Sequence, residues 1–522
     1  MDTKSIYKPE PIKIMTNNLR RDASQPTLDH RIFWFSFLLV IVSSFALILF
    51  PHSAGVWLEM VRLKIIHSLD WLYLPLAASA FVFALWLALG RYGHIKLGAK
   101  TEKPEYSNLH WIAMMFTAGI GSGLIIWGFA EPIHYLKTPP FNIEPFSDKS
   151  REWAHMYPLF HWSILPWAIY VVPAVPIAYQ LYVKGVKSMR VSDACDAALP
   201  RKARTTYKNI IDIIIVLGIV GGTVTTLGLA VPLISALISA IFGIEDNNLT
   251  KLIILLAWIV LVGLSVSKGL KKGIKILADF NMLLAVLVII FIFIVGPTLF
   301  ILEISVNSFG LMLDNYMGMV FWTDPIAKTS FPEDWTIFYW AWWISYSAFV
   351  GLFIARISRG RTIRQLVLGV IGWGSLGTWV FLSVTGAYSL SLDVGGQLPM
   401  TQILAEDGMS ALVAEIIATL PYPKTLLILF TVLGVVFAAT CIDSAAYVVS
   451  SVCFKNLNND QEPQLLNRLV WLVSLAAMTA GLVVVDGLST VLAITIISSV
   501  PLIPIIILIC LSFYRQLAEH KT

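Results

Sequence analysis

The chain has 522 residues, 57% of them apolar and 13% charged, with a mean hydropathy of +0.76 and a formal net charge of +5. This is too oily for a water-soluble domain of that size, so most of its surface has to face lipid. The small positive balance is a topology signal, because the basic residues gather in alternate loops, and no nucleic-acid partner is expected.

A bilayer core roughly 30 Å thick needs about 20 apolar residues per helix. Twelve stretches meet that test: 32–50, 69–89, 110–130, 157–183, 210–242, 252–266, 276–301, 335–355, 366–392, 426–452, 469–485 and 488–513, numbered here as spans 1 to 12. Residues 1–30 are polar and mixed in charge, with no apolar core before a small-residue cleavage site, so they read as a tail and not as a signal peptide. With the N-terminus inside, 29 of the 37 Lys and Arg fall on the inner side and 8 on the outer. Both termini are therefore expected in the cytoplasm. The division is a tail at 1–30, one twelve-helix membrane domain at 31–514 and a short inner tail at 515–522.

Span 3 carries Gly119, Gly121 and Gly123. Each glycine lowers helix propensity by about 1 kcal/mol relative to Ala. Such a helix can unwind where it lines a cavity and offer its backbone to an ion or a carboxylate; tight helix packing is the competing reading. Span 4 holds His161-Trp162, Pro166-Trp167 and Tyr170; on an ideal helix the three rings fit within an arc of about 140°. The basic linker 184–208 that follows is too short for a soluble domain. Spans 5 and 10 both carry small-polar stretches, 221–226 and 438–444. Between spans 7 and 8, residues 307–324 read as an interfacial helix on the outer surface.

Span 8 carries Trp335, Tyr339, Trp340, Trp342, Trp343 and Tyr346. An interfacial belt accounts for Trp335 at the outer edge, but Trp342, Trp343 and Tyr346 lie two to three turns deeper. Quaternary ammonium ions donate no ordinary N–H hydrogen bond and are held by the faces of several aromatic rings, which is what such a cluster supplies; packing for bulk is the alternative. The Gly-rich span and the Trp-rich span stand five spans apart, and an odd-numbered unit reverses direction when repeated, so spans 3–7 and 8–12 read as inverted repeats after two lead helices.

Charges within the spans are costly and mark a function or a partner. Asp443, beside Thr440 and Ser444, suits a sodium ion or proton relay as well as a helix-linking network, whereas Glu131 near the outer end of span 3 reads as structural. Arg356, Arg359, Arg361 and Arg364 anchor the inner end of span 8, with some gating. Cys195, Cys441, Cys453 and Cys510 are expected as free thiols. No metal cluster or cofactor is expected, and Glu131, His134 and Asp443 form no recognisable catalytic motif, so the chain reads as no enzyme.

The motifs Gly119-Ile-Gly-Ser-Gly123, Trp127-Gly, Ala130-Glu-Pro132, Phe160-His-Trp162, Pro166-Trp167, Thr226-Leu-Gly-Leu229, Asp324-Pro-Ile-Ala327 and the stretch 335–361 resemble the betaine/carnitine/choline transporter (BCCT) family. The resemblance implies an all-α integral membrane protein of twelve helices with LeuT-like inverted repeats, assembled as a homotrimer in a bacterial inner membrane. It implies alternating-access transport of a small trimethylammonium compound, caged by Trp162, Trp167, Tyr170, Trp342, Trp343 and Tyr346, with Gly119, Gly121 and Gly123 against its other end. Choline carriers of this family place an aspartate where Gly123 stands, so a zwitterion such as carnitine or glycine betaine is favoured, with choline or a sulfonium compound the alternative; His134 stands where carnitine carriers have Tyr. A remote alternative is a membrane-embedded enzyme or sensor. Coupling-ion positions of sodium-driven relatives fall on Thr117, Ile120, Phe437, Thr440 and Cys441, with a second set at Thr223 and Phe349, and Lys275 falls near a basic residue that replaces the ion in exchangers. Cys441 and Ile219 supply no hydroxyl where that pattern has one, so coupling to Na+, to H+ or by exchange is left open.

Overall fold

The computed structural model describes residues 26–120, 123–186, 188, 190–267, 271–457 and 461–519, with the backbone alone at 116–120 and 271–278. Every one of the twelve apolar stretches falls on helix. Among the described residues, ten are helices long and apolar enough to cross a membrane, the first at His30–Leu49 and the last at Leu488–Glu519. Span 7, Lys271–Val295, is bent by 108° from the following helix Thr298–Val320. Span 3 is helical on both sides of residues 121–122, which lie outside the described residues, as Asn108–Ile120 and Gly123–Lys137. The protein is an all-α membrane protein.

Hydropathy alone misplaces several boundaries. The helix of span 2 runs Pro51–Leu89, 39 residues, because Pro51 fits the first helical turn and nothing before Gly90 stops it. At about 1.5 Å per residue it outreaches the bilayer core. The interfacial helix begins at Thr298, directly after Gly296-Pro297, and not at 307; it carries exposed Leu299, Leu302, Val306, Leu313 and Met317. Two further helices between spans 9 and 10, Met400–Glu406 and Gly408–Ala418, are shorter than a span and escape a search for spans.

Much of the packing is kept when each span is exchanged with the one five further on. Span 4 packs on span 8, and span 9 packs on span 3. Span 8 meets span 12 as span 3 meets span 7, while span 5 meets span 12 as span 10 meets span 7. Spans 5 and 10, and spans 6 and 11, are each other's partners. An exchange that reproduces the helix contacts is the mark of inverted repeats, and the interface between them runs through spans 3, 4, 8 and 9, where spans 4 and 8 are buried over 94% of their apolar windows. Lipid-facing helices are far less covered; span 6 is buried over 22%.

On the side of the N-terminus, Thr27–Leu28 pairs antiparallel with Phe454–Lys455, and Arg190 of the linker reaches Asp29 at 3.0 Å. The arginines after span 8 hold neighbouring elements: Arg359 pairs with Glu102 at 2.6 Å, Arg361 donates to Asn108 at 2.9 Å and lies over the Trp111 ring, and Arg364 donates to the Ala88 carbonyl. The four cysteines are free thiols.

Candidate functional site

Span 4 is broken where its aromatic run begins. Asp148–His161 ends at Trp162, and a second helix, Ile164–Tyr182, starts after Ser163. Pro158 and Pro166 flank the break and remove two amide donors. The freed Trp162 carbonyl accepts from Thr378 Oγ1 of span 9 at 2.7 Å, and the Phe160 carbonyl from Ser163 Oγ at 2.7 Å. Non-helical backbone at this depth is tolerated because protein groups satisfy it. The single broad face expected of one ideal helix is thereby corrected: Trp162 closes one helix, while Trp167 and Tyr170 stand on the next.

Span 8 enters through a π-helical turn, Pro332–Ile337, and continues as Phe338–Ile357. Trp343 is the hub of the ring cluster, with centroids 4.5 Å from Tyr170, 5.4 Å from Trp167 and 5.8 Å from Trp162. Trp342 stands edge-on to Trp162 at 6.1 Å and stacks on Phe338 at 5.7 Å. Gly123 lies under this indole: a Cβ there would come within 2.6 Å of Trp342 Cη2. Gly374 of span 9 is required for the same reason against the Trp167 ring. The five rings are each 0–7% exposed, so the cluster is closed from solvent.

Tyr346 sits apart from these rings. Its hydroxyl lies 2.8 Å from Thr226 Oγ1 and 3.0 Å from Cys441 Sγ, and its ring packs on Phe349 at 5.7 Å. It thus joins spans 5, 8 and 10. Of the coupling-ion positions, Thr440 Oγ1 donates to the Phe437 carbonyl and Thr223 Oγ1 to the Ile219 carbonyl, each at 2.7 Å, while Cys441 is held by Tyr346. Thr117, Ile120 and Gly119 lie on the Asn108–Ile120 helix and Lys275 on Lys271–Val295, with side chains outside the described set; Gly121 lies outside the described residues. Asp443 pairs with Arg468 at 3.0 Å, so a cation already neutralises it. Trp335 belongs to no belt: it is 6% exposed and packs on His134, Tyr135 and Trp127.

Beside the rings lies a polar centre that sequence reasoning only glimpsed. Glu131, fully buried, accepts at Oε2 from Tyr339 Oη (2.8 Å) and Trp162 Nε1 (3.3 Å), and at Oε1 from Tyr135 Oη (2.5 Å), with His161 Nδ1 3.2 Å from that same oxygen. His161 Nε2 lies 3.0 Å from Thr336 Oγ1. The available signals are the four-residue spacing of Glu131 and Tyr135, which puts them on one helix face, and the adjacency of His161 and Trp162. Among the described residues, no His/Cys/Asp/Glu group could hold a metal ion.

Residues 31–522 match the family described as BCCT, betaine/carnitine/choline family transporter. A carnitine transporter of Acinetobacter baumannii is 34% identical over 433 residues, covering 83% of this chain and 78% of the relative. A solved structure of a substrate-bound, outward-open Na+-coupled sialic acid symporter aligns over 83% of each chain at a TM-score of 0.40 and 12% identity. The match over nearly the whole chain decides the assignment: the protein is a secondary transporter, not an enzyme, and belongs to the betaine/carnitine/choline transporter family.

Proposed function

We propose that the protein carries a small trimethylammonium zwitterion, such as carnitine or glycine betaine, across a bacterial inner membrane by alternating access. Both termini lie in the cytoplasm and the working unit is a homotrimer. The ammonium head sits among Trp162, Trp167, Tyr170, Trp342 and Trp343, with Tyr346 at the edge and the carboxylate toward the glycines of span 3. The observation that carries this reading is the ring cluster itself, five rings from spans 4 and 8 at the core of the repeat interface: Trp162, Trp167 and Tyr170 converge on Trp343, and Trp342 stands edge-on to Trp162. Several ring faces around one methylated cation supply about 2 kcal/mol or more each when water is excluded. The likeness to a carnitine transporter supports the same chemistry.

A net cation such as choline is the second reading, and buried Glu131 beside Trp162 favours it. Coupling runs through a cation gradient or through exchange. Uptake of labelled carnitine, glycine betaine and choline into proteoliposomes, with Na+, pH and internal substrate varied separately, tests all three points. Entry of a zwitterion in preference to choline supports the first reading, and preference for choline selects the second. Exclusion of all three defeats both.

A further inference from the structure

The charge balance around Glu131 is unusual for a group at this depth. Among the described residues no lysine or arginine forms an ion pair with it. The groups facing it are Tyr135 of its own helix, His161 of span 4 and Tyr339 of span 8, with Tyr157 packed behind on Tyr135 and His161. His134, also on span 3, packs instead against Trp335, with ring centroids 5.1 Å apart. Of the other elements packed on this helix, span 5 has Arg204, Lys208 and Asp212 engaged by Asp196, Asp193 and Ser192; the turn carrying Trp335 and Thr336 brings half-buried Glu333 and Asp334, the latter paired with Arg62; His155 of span 4 is bonded to Ser308; and Lys137, Asp148, Lys149, Glu152, Glu406 and Glu415 are exposed. In span 9, Asp393 is paired with Arg151 and Arg364 is bonded to Ala88.

The hydrogen atoms can be counted. Trp162 Nε1 is only a donor, and Tyr339 Oη has Glu131 as its partner, so both protons point at Oε2. Tyr135 donates to Oε1 and receives the His161 Nδ1 proton, which leaves Nε2 to accept from Thr336. This pattern, assigned from the hydrogen bonds, satisfies an ionised carboxylate beside a neutral imidazole and has a net charge of −1. One more proton fits without breaking it: Nε2 becomes a donor, Thr336 Oγ1 turns to accept, and the centre is neutral. Trp162, the residue that takes this carboxylate's hydrogen bond, is also an edge of the ring cluster, 5.8 Å from Trp343.

We propose that Glu131 is the fixed counter-charge for the substrate's ammonium head, and that the Glu131–His161 pair binds one proton that cancels it. The inference rests on the reading that the ring cluster holds a methylated ammonium. Substrate and proton then oppose one another. Head-group binding expels the proton, and acid weakens binding. Glu131 acts across Trp162 and Tyr339 as a positioning and specificity residue and does not touch the substrate.

The test uses the purified full chain and two probes, tetramethylammonium and glycine betaine, with binding followed by tryptophan fluorescence roughly between pH 5 and pH 8. Proton release into weak buffer is measured on probe addition. The wild type is expected to lose about tenfold in affinity toward acid and to release protons at the low end, about the effect of one unit charge behind a ring at moderate dielectric. Glu131→Gln is expected to bind about tenfold more weakly at the alkaline end and to show no pH dependence. His161→Gln, which keeps the carboxylate, is expected to retain alkaline affinity yet lose the pH dependence. Wild-type binding that is independent of pH with no proton released overturns the proposal, even if Glu131→Gln fails to fold. So does a Glu131→Gln protein with the wild-type profile. If neither probe binds the wild type at any pH, the ring-cluster reading fails and takes this inference with it.

Discussion

Replacing Trp343 with leucine separates a cation cage from mere packing. Trp343 touches Trp162, Trp167 and Tyr170 at once, so its removal takes one ring face from the centre and loosens the three that remain. Loss of a single desolvated ring is worth about 2 kcal/mol, or roughly thirty-fold in Kd for a methylated ammonium ligand. The same truncation also leaves a cavity costing about 3 kcal/mol of stability, so a control of equal size is needed. Trp340 supplies it: it is fully buried one turn earlier and packs on Phe160 and His161, away from Trp343. Calorimetric titration of both variants with the transported betaine, alongside thermal unfolding, is the assay. Trp343→Leu should lose the thirty-fold and Trp340→Leu under threefold, with similar falls in Tm. Equal affinity losses in the two, or none at Trp343, would refute the cage.

Other outcomes follow from single contacts. Gly123→Ala should cost at least tenfold in betaine uptake, because the added Cβ displaces the Trp342 indole; Gly123→Asp should do no better, and uptake assays with choline as competitor check whether the carboxylate changes selectivity. Tyr346→Phe, which loses the bridge between Thr226 and Cys441, should lower unfolding free energy by about 1–2 kcal/mol with less than a threefold change in substrate Kd. Asp443→Asn removes the carboxylate 3.0 Å from Arg468, leaving it Glu462 at 3.4 Å and the Tyr447 ring face among the described residues, and should destabilise the fold by about 3 kcal/mol, read from thermal unfolding in detergent. At Asp29, burial pushes the carboxyl upward, but Arg190 and Lys455 outweigh it and hold it below its ordinary value. Its contribution is therefore complete above the usual carboxylate value of ~4 and is lost as pH falls through the lower folded value. Asp29→Asn should flatten that acid limb of a stability-against-pH curve.

The membrane spans were legible because a lipid-facing helix advertises itself in every residue, and all twelve stretches fall on helix. What hydropathy does not record is where a helix stops for tertiary reasons. The break at Trp162 depends on Thr378, 216 positions away, to satisfy a carbonyl, and only the flanking prolines hint at it. Likewise the Met400–Glu406 and Gly408–Ala418 helices are too short to register as spans. At the site, residue type marked the aromatic runs of spans 4 and 8, while the family resemblance was what implied that Trp162, Trp167, Tyr170, Trp342 and Trp343 face one another. Tyr346 shares their spacing along the helix, but its hydroxyl turns it to Thr226 and Cys441. Glu131 reads as structural in sequence because most of its partners come from spans 4 and 8, and only the folded chain shows Tyr135, Tyr339 and Trp162 donating to one carboxylate beside the rings, with His161 against the same oxygen as Tyr135.

Counterflow in proteoliposomes tests the central claim most directly. Vesicles loaded with unlabelled glycine betaine or carnitine should accumulate the labelled compound transiently, with Trp343→Leu vesicles lagging by the factor its affinity loss sets. Labelled betaine and carnitine that stay outside, with wild-type protein folded and inserted, would contradict the account.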